Sequence, residues 1–273
     1  MNEYLEQKPL IEQPSWSYED MRGYLSEFLE IYSQSPIKDN QGGMQAPHMF
    51  ATYYMLKKLA PKNVIESGIW KGQGTWLIEQ TLPSTKIHSI DINLELREYL
   101  SPKVTYHSQD FSTLDWDTLL EEKESTVLFF DDHQNAFERV KTCKKLGFKH
   151  LIFEDNYPIT QGDCYSLKKA FAGVGFSPQN EKKGGTLSKL FSKSSKGKVL
   201  PNLEDAKFLT ENLTQYLEFP PVVKLSTTRW GDAWTESLYP TPSPLYSLED
   251  LPPHLKVFQE EGKAYTWICY ARL

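Results

Sequence analysis

The stretch VIESGIWKGQGTW, Val64 to Trp76, decides the fold. It opens as a short apolar run, closes that run on the acidic Glu66, and then sets Gly68, Gly72 and Gly74 ahead of an amphipathic segment. Glycines are required where the backbone must turn sharply and come close to a ligand without Cβ atoms, and the helix that follows offers unpaired N–H groups. The spacing is GxxxGxG, not the GxGxxG of a dinucleotide fingerprint. A carboxylate at Glu66 repels a pyrophosphate and suits an ammonium group.

Working outward, short apolar runs alternate with longer amphipathic stretches, the pattern of βαβ units on a parallel sheet. Strands are expected at Asn63 to Glu66, Lys86 to Asp91, Val104 to His107, Thr126 to Asp131 and His150 to Glu154. Helices are expected at Thr75 to Thr81, Leu94 to Leu100, Trp116 to Glu121, Ala136 to Leu146 and Tyr165 to Gly173; the fourth carries Phe137, Val140, Cys143 and Leu146 at helical spacing. Pro220 to Ser226 and Tyr265 to Arg272 read as a closing antiparallel pair. The fold class is therefore α/β: a Rossmann-like, doubly wound, mostly parallel seven-stranded sheet with an antiparallel C-terminal strand pair and a helical N-terminal extension. Residues 1–61, with helices at Tyr18 to Ile31 and Pro47 to Leu59 around the turn-like KDNQGG, form a helical cap that covers the site or pads the sheet. Residues 62–273 form the ligand-binding domain, with a Lys-rich loop at 181–198 and a Pro-rich insertion at 228–263.

In an open α/β sheet the ligand lies beyond the carboxyl ends of the strands, where strand order reverses. Asp91, ending the second strand, is placed to accept both hydroxyls of a ribose, and Ile92 to pack on an adenine face. Asp110 and Phe111, after the third strand, are candidates for the adenine amino group and its pocket, although an Asp there also caps turns. The fourth and fifth strands end in Asp131-Asp132-His133 and Glu154-Asp155-Asn156. Carboxylates gathered at one rim repel one another unless a hard divalent cation with oxygen ligands, magnesium being the plain candidate, neutralises them. His133, neutral for much of its population near pH 7, is a candidate general base, while Asp132 or Asn156 could serve only as a helix cap.

The bulk numbers exclude several classes. Acidic residues outnumber basic ones, 36 to 30, which disfavours a nucleic acid backbone or an anionic membrane as partner. A secretion signal and a membrane span are absent from the sequence, so a cytoplasmic protein is expected. Cys143, Cys164 and Cys269 show no CxxC spacing and read as ordinary small apolar residues. Residues 181–198, with six lysines among Ser and Gly, read as a mobile solvated loop, with a lid or anion clamp as the alternative.

Together ESGIWKGQGT, SIDIN, LFFDDHQ and IFEDNY, within Lys62 to Pro158, resemble the class I S-adenosylmethionine-dependent methyltransferases, and among them the metal-dependent O-methyltransferases. ExGxxxGxG looks like the first motif of the catechol type, and ESGIWKG looks closer to macrocin and mycinamicin sugar O-methyltransferases. The resemblance implies that Glu66, Gly68 and Asp91 bind S-adenosylmethionine, that Asp131 or Asp132 binds the metal with Glu154 and Asp155, and that His133 is the base. The catechol type implies Asp131, Asp155 and Asn156 instead. His133 departs from the sugar-enzyme pattern, following the aspartate pair directly where the family histidine lies further on.

The expected activity is metal-assisted O-methyl transfer to a hydroxyl of a small molecule, a sugar or glycosylated metabolite fitting the resemblance, by a protein that could form homo-oligomers. The rivals are a hydroxylase-like or oxidoreductase enzyme on the same fold and a non-catalytic adenosyl-binding or partner-binding protein. Trp230 and Trp234 either stack on an acceptor ring or fill the core.

Overall fold

The computed structural model describes residues 11–175 and 202–273. The Lys-rich loop expected at 181–198 lies outside the described residues. Seven strands form one sheet in the order β3-β2-β1-β4-β5-β7-β6. They are β1 (Asn63–Ser67), β2 (Lys86–Ile90), β3 (Val104–His107), β4 (Thr126–Phe130), β5 (His150–Phe153), β6 (Gln215–Glu218) and β7 (Cys269–Arg272). The first five are parallel, and β7 runs antiparallel to both β5 and β6. Strand order reverses between β1 and β4, so the crevice rule places the ligand where Ser67 and Phe130 end their strands.

The central strands are apolar throughout because both faces are covered. Val64, Val127, Phe129, Ile152 and Tyr270 point into one core, while Ile65, Leu128, Phe130, Leu151, Phe153 and Ala271 point into the other. The first core is closed by α1 (Tyr18–Gly23), α2 (Leu25–Tyr32), α3 (Ala46–Leu59), α4 (Gln73–Thr81) and α9 (Val257–Glu260), the second by α6 (Ala136–Leu146), α7 (Leu167–Phe171) and α8 (Leu203–Asn212). A short helix, α5 (Trp116–Leu119), precedes β4. Every residue of α3 from Ala46 to Leu56 is buried, as expected of a helix apolar on all sides. At its centre Phe50 meets Phe28, Phe219 and Phe258 edge-on at 5.5 to 5.9 Å.

Several expected boundaries shift for local reasons. The second, fourth and fifth strands each stop one residue before the expected carboxylate, yet Asp91, Asp131 and Glu154 still donate main-chain N–H bonds to the neighbouring strand. Leu94 to Leu100 is a single 3₁₀ turn, Leu94–Leu96, because the Lys71 carbonyl takes the N–H groups of Glu98 and Tyr99. The closing pair is misplaced in the sequence reading. Its first member is Gln215–Glu218, since Pro220 and Pro221 have no N–H to extend the ladder, and Val222 and Val223 are buried as core instead. Its second member starts only at Cys269, because Trp267 at φ 63° breaks the extended run. Among the described residues no helix is long and apolar enough to cross a membrane.

Phe50→Ala should lower the unfolding free energy by about 3 to 5 kcal/mol in urea titration, the usual loss for a buried aromatic. A loss below about 1 kcal/mol would mean that α3 is not part of the core that holds the sheet.

Candidate active site at the sheet switch point

The loop after β1 is shaped by two left-handed glycines, Gly68 at φ 99° and Gly72 at φ 95°. A Cβ on Gly68 would fall on the Asp131 carbonyl, so this glycine lets the β1 loop lie against the end of β4. Glu66 turns under the start of α4, and a Cβ on Gly74 would meet its carboxylate. The Thr75 and Ser89 hydroxyls donate to Glu66 Oε2 at 2.5 and 2.6 Å, while Oε1 is buried with no hydrogen-bond partner. Burial pushes the Glu66 carboxyl up to about 7 against the pull of those two hydroxyls, with the Asp91 charge adding to the rise.

Asp91 is already engaged by the loop. Its Oδ2 accepts the N–H groups of Ile69 and Trp70 at 3.0 and 2.9 Å, and Oδ1 accepts that of Asn93 at 2.9 Å. Asp91, the expected partner of the two ribose hydroxyls, thus already holds three main-chain donors, with lone-pair capacity left on Oδ1. Ile92 stands free at 84% exposure. Asp110 and Phe111, the expected adenine contacts, are engaged within the protein. Arg139 donates to both oxygens of Asp110, at 3.0 and 2.7 Å, and holds that carboxyl well below the usual range. Phe111 is fully buried against Trp116, Phe130 and Phe148, with the Arg139 guanidinium 5.7 Å from its ring centre.

At the ends of β4 and β5, Asp131, His133 and Asp155 bring one ligand atom each within 4.8 Å of one another. Asp155 is 7% exposed, and its Oδ2, 3.3 Å from His133 Nδ1, has no hydrogen-bond partner. Burial and the charges of Glu154 and Asp155 push Asp131 up. The other expected ligands are held elsewhere. Asp132 accepts from Ser67 at 2.7 Å and from Arg139 at 2.8 Å. Glu154 is bonded to His48. Asn156 donates to the Tyr216 hydroxyl and accepts the Lys168 N–H, both at 2.9 Å. Of the five expected ligands, Asp131 and Asp155 remain at the cluster, and His133 joins them.

His133, the expected base, is tied to Asp163. Its Nδ1 lies 3.0 Å from Asp163 Oδ1, and that hydrogen bond, opposed by burial and aided by the charges of Asp155, Asp163 and Asp131, raises the imidazole to about 10. Asp163, Arg139 and His48 were not found from the sequence. His48 alone left a visible signal, an imidazole inside the apolar run APHMFATYYML.

The rim is aromatic. The hairpin closed by the Thr227–Ala233 bridge carries Trp230, 46% exposed and edge-on to Tyr157 at 5.3 Å, and Arg229, which donates to the Gly42 carbonyl. Trp234 packs on Tyr265 and Trp267 at 6.0 and 5.1 Å and belongs to the core.

Neither a family model nor a curated protein matches the chain. Solved structures with a similar chain path include apo CmcI, at 21% identity over 44% of this chain with a TM-score of 0.33; this chain spans 57% of that one. An O-methyltransferase from Bacillus cereus in complex with S-adenosylhomocysteine is 12% identical over 72% of this chain and 84% of its own, with a TM-score of 0.40. The O-methyltransferase TomG from Streptomyces achromogenes, in complex with S-adenosylmethionine, is 12% identical over 79% and 88%, with a TM-score of 0.42.

The folded value of Glu66 lies above its ordinary 4.5, so its contribution to stability is fully present below that pH and is lost as pH rises through about 7. Glu66→Gln should remove on the order of 3 kcal/mol from the fall in unfolding free energy between the two ends of that window, measured by urea titration. An unchanged pH dependence would place the Glu66 carboxyl in water.

Proposed function

We propose that this protein transfers a methyl group from S-adenosylmethionine to a hydroxyl of a small molecule, assisted by a divalent cation held by Asp131, His133 and Asp155. The observation that carries this reading is Asp155 Oδ2, a buried acceptor without a hydrogen-bond partner, in a cluster that shares a wall with the glycine loop through Gly68 and Asp131. Two carboxylates and an imidazole suit magnesium and, with the nitrogen ligand, manganese. The unpartnered Glu66 Oε1 beside Gly74 fits an ammonium group such as that of methionine.

When bound, the cation would hold the acceptor oxygen and lower the pKa of its hydroxyl, with the sulfonium as methyl donor. The protein's own part is positioning. Gly68 and Gly72 keep the loop backbone close to the ligand, Glu66 receives its cationic end, and Asp91 Oδ1 receives a ribose hydroxyl. Asp163 holds the His133 ring at the cluster, and Trp230 offers an exposed indole face to a ring-bearing acceptor such as a sugar. One observation favours a non-catalytic reading: Asp110 and the Oδ2 atom of Asp91, which would face the adenosine, are occupied by Arg139 and by the loop itself.

Asp155→Ala separates the two. Formation of S-adenosylhomocysteine, followed with magnesium over a panel of sugar and catechol hydroxyls, should fall beyond the about 100-fold that loss of an outer-shell partner costs, with S-adenosylmethionine affinity retained. Full turnover in the variant would remove the cation from the mechanism, and wild-type binding without turnover would favour the non-catalytic reading.

A further inference from the structure

His48 is the lone imidazole of α3 and is completely buried. The Thr266 main-chain N–H donates to its Nε2 at 2.6 Å. A backbone N–H can only donate, so Nε2 carries the lone pair and the ring proton sits on Nδ1, which faces Glu154 Oε1. The Thr266 hydroxyl lies 3.1 Å from Nε2 and 3.4 Å from the Glu154 carbonyl oxygen, and Tyr265 packs edge-on against the ring at 5.7 Å. The tautomer and the orientation of the imidazole are thus set from both sides, by the segment leading into β7 and by the end of β5.

We propose that His48 is a positioning residue: its Nδ1–H bond fixes the Glu154 carboxyl beside Asp155 and so sets how Asp155 faces Asp131 and His133. The bond joins α3 to a residue 106 positions away, adjacent in the chain to the unpartnered Asp155. Without the imidazole, Glu154 is a buried carboxyl whose Oε1 lacks a partner, and its place beside Asp155 is no longer fixed. His48 thereby makes the geometry of the cluster depend on the docking of an N-terminal helix that contributes no ligand to it. The part of this inference that concerns a cation rests on the reading proposed above.

The test combines two readouts on the full-length protein. Imidazole ¹⁵N–¹H correlation spectra of the wild type should show His48 as the Nδ1–H tautomer. Calorimetric titration with Mn²⁺ alone should show affinity weakened by His48→Ala by about 10-fold or more, the range seen for outer-shell partners, and restored by His48→Asn, whose side-chain amide donates from nearly the position of Nδ1. An Nε2–H tautomer, or wild-type Mn²⁺ affinity in His48→Ala, would overturn the proposal. If His48→Ala does not fold, weakened affinity in a folded His48→Asn would overturn it equally. If the wild type binds no Mn²⁺, the cation reading fails, and the tautomer spectrum then decides the His48–Glu154 bond by itself.

Discussion

The constraint on which the rest depends is the crowding of like charge at the carboxyl ends of β1, β4 and β5. Glu66, Asp131, Asp132, Glu154 and Asp155 share this rim, where low dielectric makes each uncompensated charge expensive. The structure answers each carboxyl differently. Glu66 is held by two hydroxyls, Asp132 by Ser67 and Arg139, Glu154 is bonded to His48, and burial pushes both Asp131 and Glu154 toward their neutral forms. Asp155 keeps one oxygen without a hydrogen-bond partner, 3.3 Å from the His133 ring, which is itself tied to Asp163. This arrangement leaves the fifth carboxyl beside an imidazole, the feature on which the proposed cation site rests.

These compensating groups explain why helices far apart in the chain pack as they do. Arg139 reaches the rim because α6 lies on the second face of the sheet, and its guanidinium spans the ends of β3 and β4. His48 reaches it from the first face, which makes α3 a layer of the sheet's core as well as a support for the site. The glycine loop completes the wall, since only a residue without Cβ at position 68 lets β1 end against the Asp131 backbone.

Much of the sheet was legible because its signals are local. Apolar runs buried on both faces end on carboxylates, so the five parallel strands could be placed within a residue, and the glycine spacing located the loop. The last two strands were not, because the choice between YLE at β6 and the VVKLS that follows depends on pairing with β7 more than fifty residues away, and on two prolines between them. The site shows the same division. Which residues gather at the rim follows from strand ends, but which carboxylates are free depends on His48, Arg139 and Asp163, and their partners lie on other elements. Asp132 and Asn156 could be read in sequence either as ligands or as helix caps, and packing settles their partners.

The most direct measurement is thermal unfolding of the wild-type protein with S-adenosylmethionine, S-adenosylhomocysteine or NAD, each with magnesium and with chelator. A ligand at about 100 times its dissociation constant stabilises the native state by roughly 2.7 kcal/mol, enough to read clearly. The expected result is stabilisation by both adenosyl ligands and a further increment with magnesium. Stabilisation by NAD alone, or by none of the three, would contradict the adenosyl site at the switch point of the sheet.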